Sequence, residues 1–116
     1  GVMAQRLLRL NCPHCKEKEE VEPEVRQALK LGNDEVFYKG RGCNGCNNTG
    51  YHGRRVVSEL LEITPELSTM ISNGATTQAI KAFAQQQGMQ TLTQKAVKLA
   101  RDGSTSIEEV FAVRLD

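Results

Sequence analysis

Four cysteines fall into two pairs of identical spacing, Cys12-Pro13-His14-Cys15 and Cys43-Asn44-Gly45-Cys46, and the chain has no others. A C-x-x-C pair fits a tight turn that aims two thiolates at one point. Two such knuckles supply the four sulfurs of a tetrahedral structural zinc site. The second pair lies in Gly40-Arg41-Gly42-Cys43-Asn44-Gly45-Cys46-Asn47-Asn48-Thr49-Gly50. Its glycines tolerate positive φ, so backbone N–H groups can turn toward the sulfurs. Such a site is closed: it braces the fold and leaves no open position for a catalytic water. Zn2+ is the expected structural cofactor, with Cys12, Cys15, Cys43 and Cys46 as ligands.

Other readings use the same residues. Disulfides suit a secreted protein, but no secretory leader is evident, and the Asn47-Asn48-Thr49 sequon is too common to weigh. A redox C-x-x-C belongs in a βαβ thioredoxin-like setting, where one motif suffices. Four unrelated buried cysteines have no reason to form two matched pairs. His14 stands between the first two cysteines and could replace one. With four thiols at hand, it is expected beside the site or in solvent.

The surrounding elements must bring the two pairs together. Met3, Leu7 and Leu10 recur at i, i+4 and i+7, so residues 1–11 read as a helix with a short extended exit into the first knuckle. No capping residue precedes this helix, so the start reads as a cut. Residues 16–22 are charged and expected to be solvated. Pro23 to Leu31 reads as a helix ending at Gly32, and Val36 to Lys39 as a short strand entering the second knuckle. Residues 16–42 thus form a small insertion whose ends the metal ties together.

Arg54 to Ile63 is the best strand candidate. Both of its faces carry apolar residues, which favours an internal strand or one whose second face meets another part of a larger protein. Four helices should follow. Thr64 can cap the first and Gly74 stop it, and the second covers about residues 76–87 before Gly88. The third opens with Thr91 and Gln94, the fourth with Ser106 and Glu109, each as a capping box. Lys95, Lys98 and Arg101 make a basic stripe on the third, read as a solvated face or a contact for an acidic partner. The fold class is therefore α+β, a small tetracysteine zinc-knuckle subdomain with short strands followed by a compact C-terminal helical bundle. The divisions fall at residues 1–11, 12–63 and 64–116.

At 116 residues the chain suffices for one ordinary domain. Hydrophobic residues make up 39% and aromatics 4%, a thin core that a metal staple would help. The net charge is +1 with neutral thiols, and four thiolates about a dication would add two negative charges locally. Near-neutrality, with Phe37, Tyr38, Tyr51, Phe83 and Phe111 scattered, argues against nucleic acid as a partner. No apolar run approaches bilayer-spanning length, and free paired cysteines point to a reducing cytoplasm.

Catalytic motifs are missing. Gly45 to Gly50 has P-loop glycine spacing, but Tyr51-His52 follows where Lys and Ser or Thr must bind phosphate and magnesium. Two histidines beside the cysteine loop make no Ser/His/Asp set, and no His-x-Glu stands with a Pro-Cys-x-x-Cys as in the zinc deaminases. Alone, the chain reads as a non-enzyme.

Met3-Ala4-Gln5-Arg6-Leu7, Cys12-Pro13-His14-Cys15, Gly42 to Cys46, Thr49-Gly50-Tyr51-His52-Gly53-Arg54, Glu59-Leu60-Leu61, Gln87-Gly88-Met89 and Ser106 to Val110 occur in that order. Together they resemble the C-terminal part of the type II secretion and type IV pilus assembly ATPases, over nearly the whole chain. The resemblance implies a parent that is a cytoplasmic, hexameric P-loop ATPase at the inner membrane, driving pilin or pseudopilin assembly through membrane platform proteins. It implies that ATP and Mg2+ bind in the preceding core. The four cysteines match the family's metal-binding positions, and residues 1–11 match the end of the ATPase core. Arg6 could approach nucleotide there, or simply pack or ion-pair. Arg55-Val56-Val57-Ser58 departs from the commonest pattern, in which a smaller residue follows the Gly-Arg step. The alternative is a free-standing zinc-ribbon module that binds protein or nucleic acid.

Overall fold

A computed structural model of the chain describes residues 2–115. The elements run β1 (Val2–Asn11), β2 (Lys16–Glu19), α1 (Pro23–Ala28), β3 (Phe37–Gly40), a 3-10 turn (Asn44–Cys46), β4 (Tyr51–Leu60), α2 (Pro65–Ser72), α3 (Thr77–Gln86), α4 (Leu92–Arg101) and α5 (Ile107–Leu115). The class is α+β.

The helix expected within residues 1–11 is instead the strand β1. It pairs antiparallel with β4, from Val2 opposite Leu60 to Asn11 opposite Tyr51. Its Ala, Gln, Arg and Leu residues are good helix formers, but a partner strand some fifty residues on overrides that weak preference. The adjacent Leu7 and Leu8 suit a strand, because successive side chains face opposite ways. Leu8 is 1% exposed and Leu7 52%. The second strand of this sheet begins three residues earlier than expected and ends at Leu60.

The charged run after Cys15 also forms structure. β2 pairs with β3, setting Glu17 opposite Lys39. Charge does not prevent strand formation when the side chains stand in solvent and a partner backbone is available.

Helix α1 stops at Ala28, short of the expected Leu31. Lys30 takes φ 58°, and the Leu31 N–H returns to the Arg26 carbonyl at 2.8 Å. Lys30 thus fills the left-handed position expected of Gly32, and the sharp exit lets both Leu29 and Leu31 be buried. A side chain in this conformation costs about 1–2 kcal/mol, offset by roughly 0.5–1 kcal/mol of extra chain entropy when glycine replaces it. Lys30→Gly is therefore expected to raise stability by roughly 0.5 kcal/mol, read as a higher midpoint in urea unfolding.

The helix signals after Thr64 act as read. Thr64 accepts the Leu67 N–H at 3.2 Å and Thr76 the Ala79 N–H at 3.1 Å. Thr91 and Gln94 close a reciprocal capping box. Ser106 accepts the Glu109 N–H, but the Glu109 carboxylate serves Arg9, and Glu19 accepts the Ile107 N–H at 3.2 Å.

The main core gathers Leu8 and Val57 from the first sheet, Leu29, Leu31 and Phe37 from the insertion, and the inner faces of α4 and α5. Phe37, at 0% exposure, is the largest fully buried side chain. Helices α2 and α3 pack on each other, leaving a groove of about 520 Å³ against the end of β4. The molecule measures 54 × 28 × 19 Å, with a radius of gyration of 16.8 Å; about 13 Å is typical of a compact chain this long. Among the described residues no helix is long and apolar enough to cross a membrane.

Candidate metal centre

The four cysteines sit where the two small sheets meet. Cys12 follows β1 and donates its N–H to the Gly50 carbonyl at 2.9 Å. Cys15 precedes β2 and accepts the Arg41 N–H on its carbonyl at 3.0 Å. Cys43 caps the 3-10 turn that carries Cys46. Asn47 and Asn48 follow at φ 55° and 63°, a region asparagine enters more readily than most residues. The chain can then double back so that the Gly50 N–H meets the Cys46 sulfur at 3.2 Å. Gly40 and Gly50 pass backbone against backbone; a Cβ on Gly40 would overlap the Gly50 carbonyl.

All four sulfurs lie within 4.8 Å of one another. The Cys12–Cys43, Cys15–Cys46 and Cys43–Cys46 separations are each 3.8 Å. That spacing discriminates between the readings of the sequence. A disulfide needs about 2.05 Å between sulfurs. Sulfurs about 2.3 Å from a tetrahedral ion stand about 3.8 Å apart. The cluster therefore has the size and donor chemistry to hold one metal ion, and the cysteines are not disulfide-bonded.

Backbone N–H groups turn toward the sulfurs, from Gly42 to Cys15 and from Cys43 to Cys46, both at 3.3 Å. Burial pushes the Cys46 thiol up, but the N–H groups of Cys43 and Gly50 and the neighbouring thiols outweigh it and bring it down to about 6. Burial raises Cys15 to about 11, against the Gly42 N–H and with the three neighbouring thiols adding to the rise. Packed together and buried, the thiols compete for charge, so binding a cation there displaces protons. Cys12 is 0% exposed, and Cys15 and Cys46 are buried. His14 is exposed, its ring against Gly45.

A polar network that the sequence did not advertise fastens this base to α5. The Arg9 guanidinium lies 4.1 Å from the Tyr51 ring centroid and 2.7 Å from the Glu109 carboxylate. Tyr51 and Ser106 share a 2.6 Å hydroxyl hydrogen bond. Asn11 is buried and donates through Nδ2 to the Tyr38 and Gly103 carbonyls, each at 3.1 Å. Asn11 adjoins Cys12, but nothing local marks an asparagine whose partners lie 27 and 92 residues away. Arg6 is exposed on β1 opposite Val57.

These features define a small mixed α+β domain built around a four-thiol centre. Its relatives specify it further. Residues 1–112 match the family described as Type II/IV secretion system protein, and the chain belongs to that family. It is 40% identical over 116 residues to the type IV pilus assembly ATPase PilB of Thermus thermophilus, covering 97% of this chain and 13% of that protein. It is 35% identical over 117 residues to the type IV pilus assembly ATPase TfpB of Acinetobacter baylyi, covering 97% and 20%. Against the type II secretion system ATPase E of Vibrio cholerae it is 36% identical over 115 residues, covering 97% and 23%. The chain thus spans less than a quarter of the length of these relatives.

Proposed function

We propose that these residues form the C-terminal, zinc-braced region of a hexameric ATPase that powers type II protein secretion or type IV pilus assembly. Four sulfurs within 4.8 Å of one another, three pairs of them at the 3.8 Å expected about one tetrahedral ion, carry the metal part of this reading. Cys12, Cys15, Cys43 and Cys46 would hold Zn2+, a redox-inert ion suited to a closed four-sulfur site. The metal supplies rigidity; ATP and Mg2+ belong to the parent's core. Residues 1–11 would end that core, 12–63 form the zinc-binding subdomain and 64–116 the helical one. Arg6, on β1, would lie at the boundary with the core, where it could come near nucleotide.

A larger parent is supported by the outer face of the β1–β4 sheet. Leu7 and Val56 stand opposite each other on it, 52% and 59% exposed. Two apolar residues paired in solvent are consistent with a face that packs on another part of the parent. The partners would be the ATPase core, neighbouring subunits and inner-membrane platform proteins, with no nucleic acid. The protein would be cytoplasmic, peripheral at the inner membrane. A preorganised appendage loses less entropy on docking and can pass motor motion to its partner.

The test is Cys43→Ser in the full-length parent. Metal content and melting temperature are expected to fall and secretion or pilus assembly to stop, while nucleotide still binds. Full retention of zinc and of the melting temperature would overturn the proposal.

A further inference from the structure

The cleft between β4 and α4 gathers three cations that no ion pair engages among the described residues. It encloses about 340 Å³, with Arg55 on the strand side, Lys95 and Lys98 on the helix side, and Val57 and Leu99 in its floor. Lys95 and Lys98 are one helical turn apart and share a face. The Lys95 ammonium donates to the Ser58 carbonyl of β4, which fixes it at the wall of the cleft. Among the described residues the ion pairs engage Arg9, Lys81 and Arg101, and none engages Arg55, Lys95 or Lys98. Asp102, the carboxylate lining the cleft, accepts the Ser104 N–H of its own turn.

We propose that this cleft docks an acidic peptide segment of a partner protein. The arrangement favours a segment over a single phosphate. A phosphate site gathers backbone N–H groups, commonly at a helix N-terminus. Here the α4 N-terminus is already taken, its N–H groups bonded to Glu59 and Thr91. The three cations are strung along a strand and a helical turn, matching successive carboxylates on an extended chain. The site is independent of the thiolate centre.

The test uses the 116-residue chain and a short fluorescein-labelled peptide of alternating Glu and Ala, followed by anisotropy at low salt. Binding is expected, with Arg55→Gln/Lys98→Gln weakening it about tenfold, as for two modest ion pairs. Lys18→Gln/Lys39→Gln makes the same charge change on the β2–β3 hairpin and is expected to leave affinity within about twofold. Circular dichroism of both variants should match the parent chain, because all four side chains are exposed. Absence of peptide binding, or equal weakening by the two double variants, overturns the proposal. So does displacement of the peptide by inorganic phosphate beyond that by chloride at equal ionic strength, which would mark a phosphate site instead.

Discussion

Cys46→Ser is expected to abolish stoichiometric metal binding and to unfold the base of the molecule. Cys46 carries the most connections of the four: its sulfur accepts N–H groups from Cys43 and Gly50 and lies 3.8 Å from both Cys15 and Cys43. Serine offers a shorter, harder oxygen that a soft-ligand site binds poorly. Structural zinc contributes on the order of 10 kcal/mol of apparent folding energy at neutral pH in small domains. That exceeds the ~5–15 kcal/mol net stability of an ordinary domain or comes close to it. The cluster around the sulfurs contains little besides the cysteines, so no apolar packing would replace the ion there. Thermal unfolding should begin tens of degrees lower, and a chromophoric chelator should find no bound metal. Removing metal from the unaltered chain should give the same result. Metal affinity should rise with pH, because protons compete for the same sulfurs, and burial, which pushes the Cys15 thiol up, favours its protonated form in the absence of metal. Acidification should therefore release the ion, and an affinity that grew as pH fell would contradict thiolate ligation.

Phe37→Ala is expected to destabilise by about 3–5 kcal/mol while leaving metal binding intact. Phe37 opens β3, is wholly buried, and joins the insertion to the inner faces of α4 and α5. The Arg26 guanidinium closes over its ring at 5.5 Å. Truncation would leave a cavity bounded by two helices and a strand that cannot all move inward. The expected drop in melting temperature is roughly 10–25 °C. The sulfurs lie in a separate cluster, so one ion per chain should persist at low temperature. The two substitutions divide the fold's support into a metal part and an apolar part. Loss of metal from Phe37→Ala would show that the two are not separable.

The four-thiol site was legible because two C-x-x-C turns are local and need only a hairpin to bring them together. The helices after Thr64 were legible for a similar reason, since Thr64, Thr91 and Gln94 act on N–H groups within three residues. The features without a local signal are long-range. The residues of β1 spell a passable helix, and only β4, far along the chain, makes them a strand. The charges of β2 concealed a strand because the exposed pattern of a two-stranded hairpin carries no apolar alternation. The spacing of Ser106 and Glu109 predicts a capping box, but the Glu109 carboxylate accepts the backbone N–H and guanidinium of Arg9, 100 residues away. Glu59, in a strand, is buried and caps α4 through the Leu92 N–H while pairing with Lys81. No local spacing encodes such partners; the tertiary fold chooses them.

The most direct measurement is metal analysis of the purified chain combined with X-ray absorption at the metal edge. The account predicts one zinc per chain in a single shell of four sulfurs at about 2.3 Å. A metal-free folded chain, nitrogen or oxygen in the ligand shell, or cysteines recovered as disulfides would contradict it.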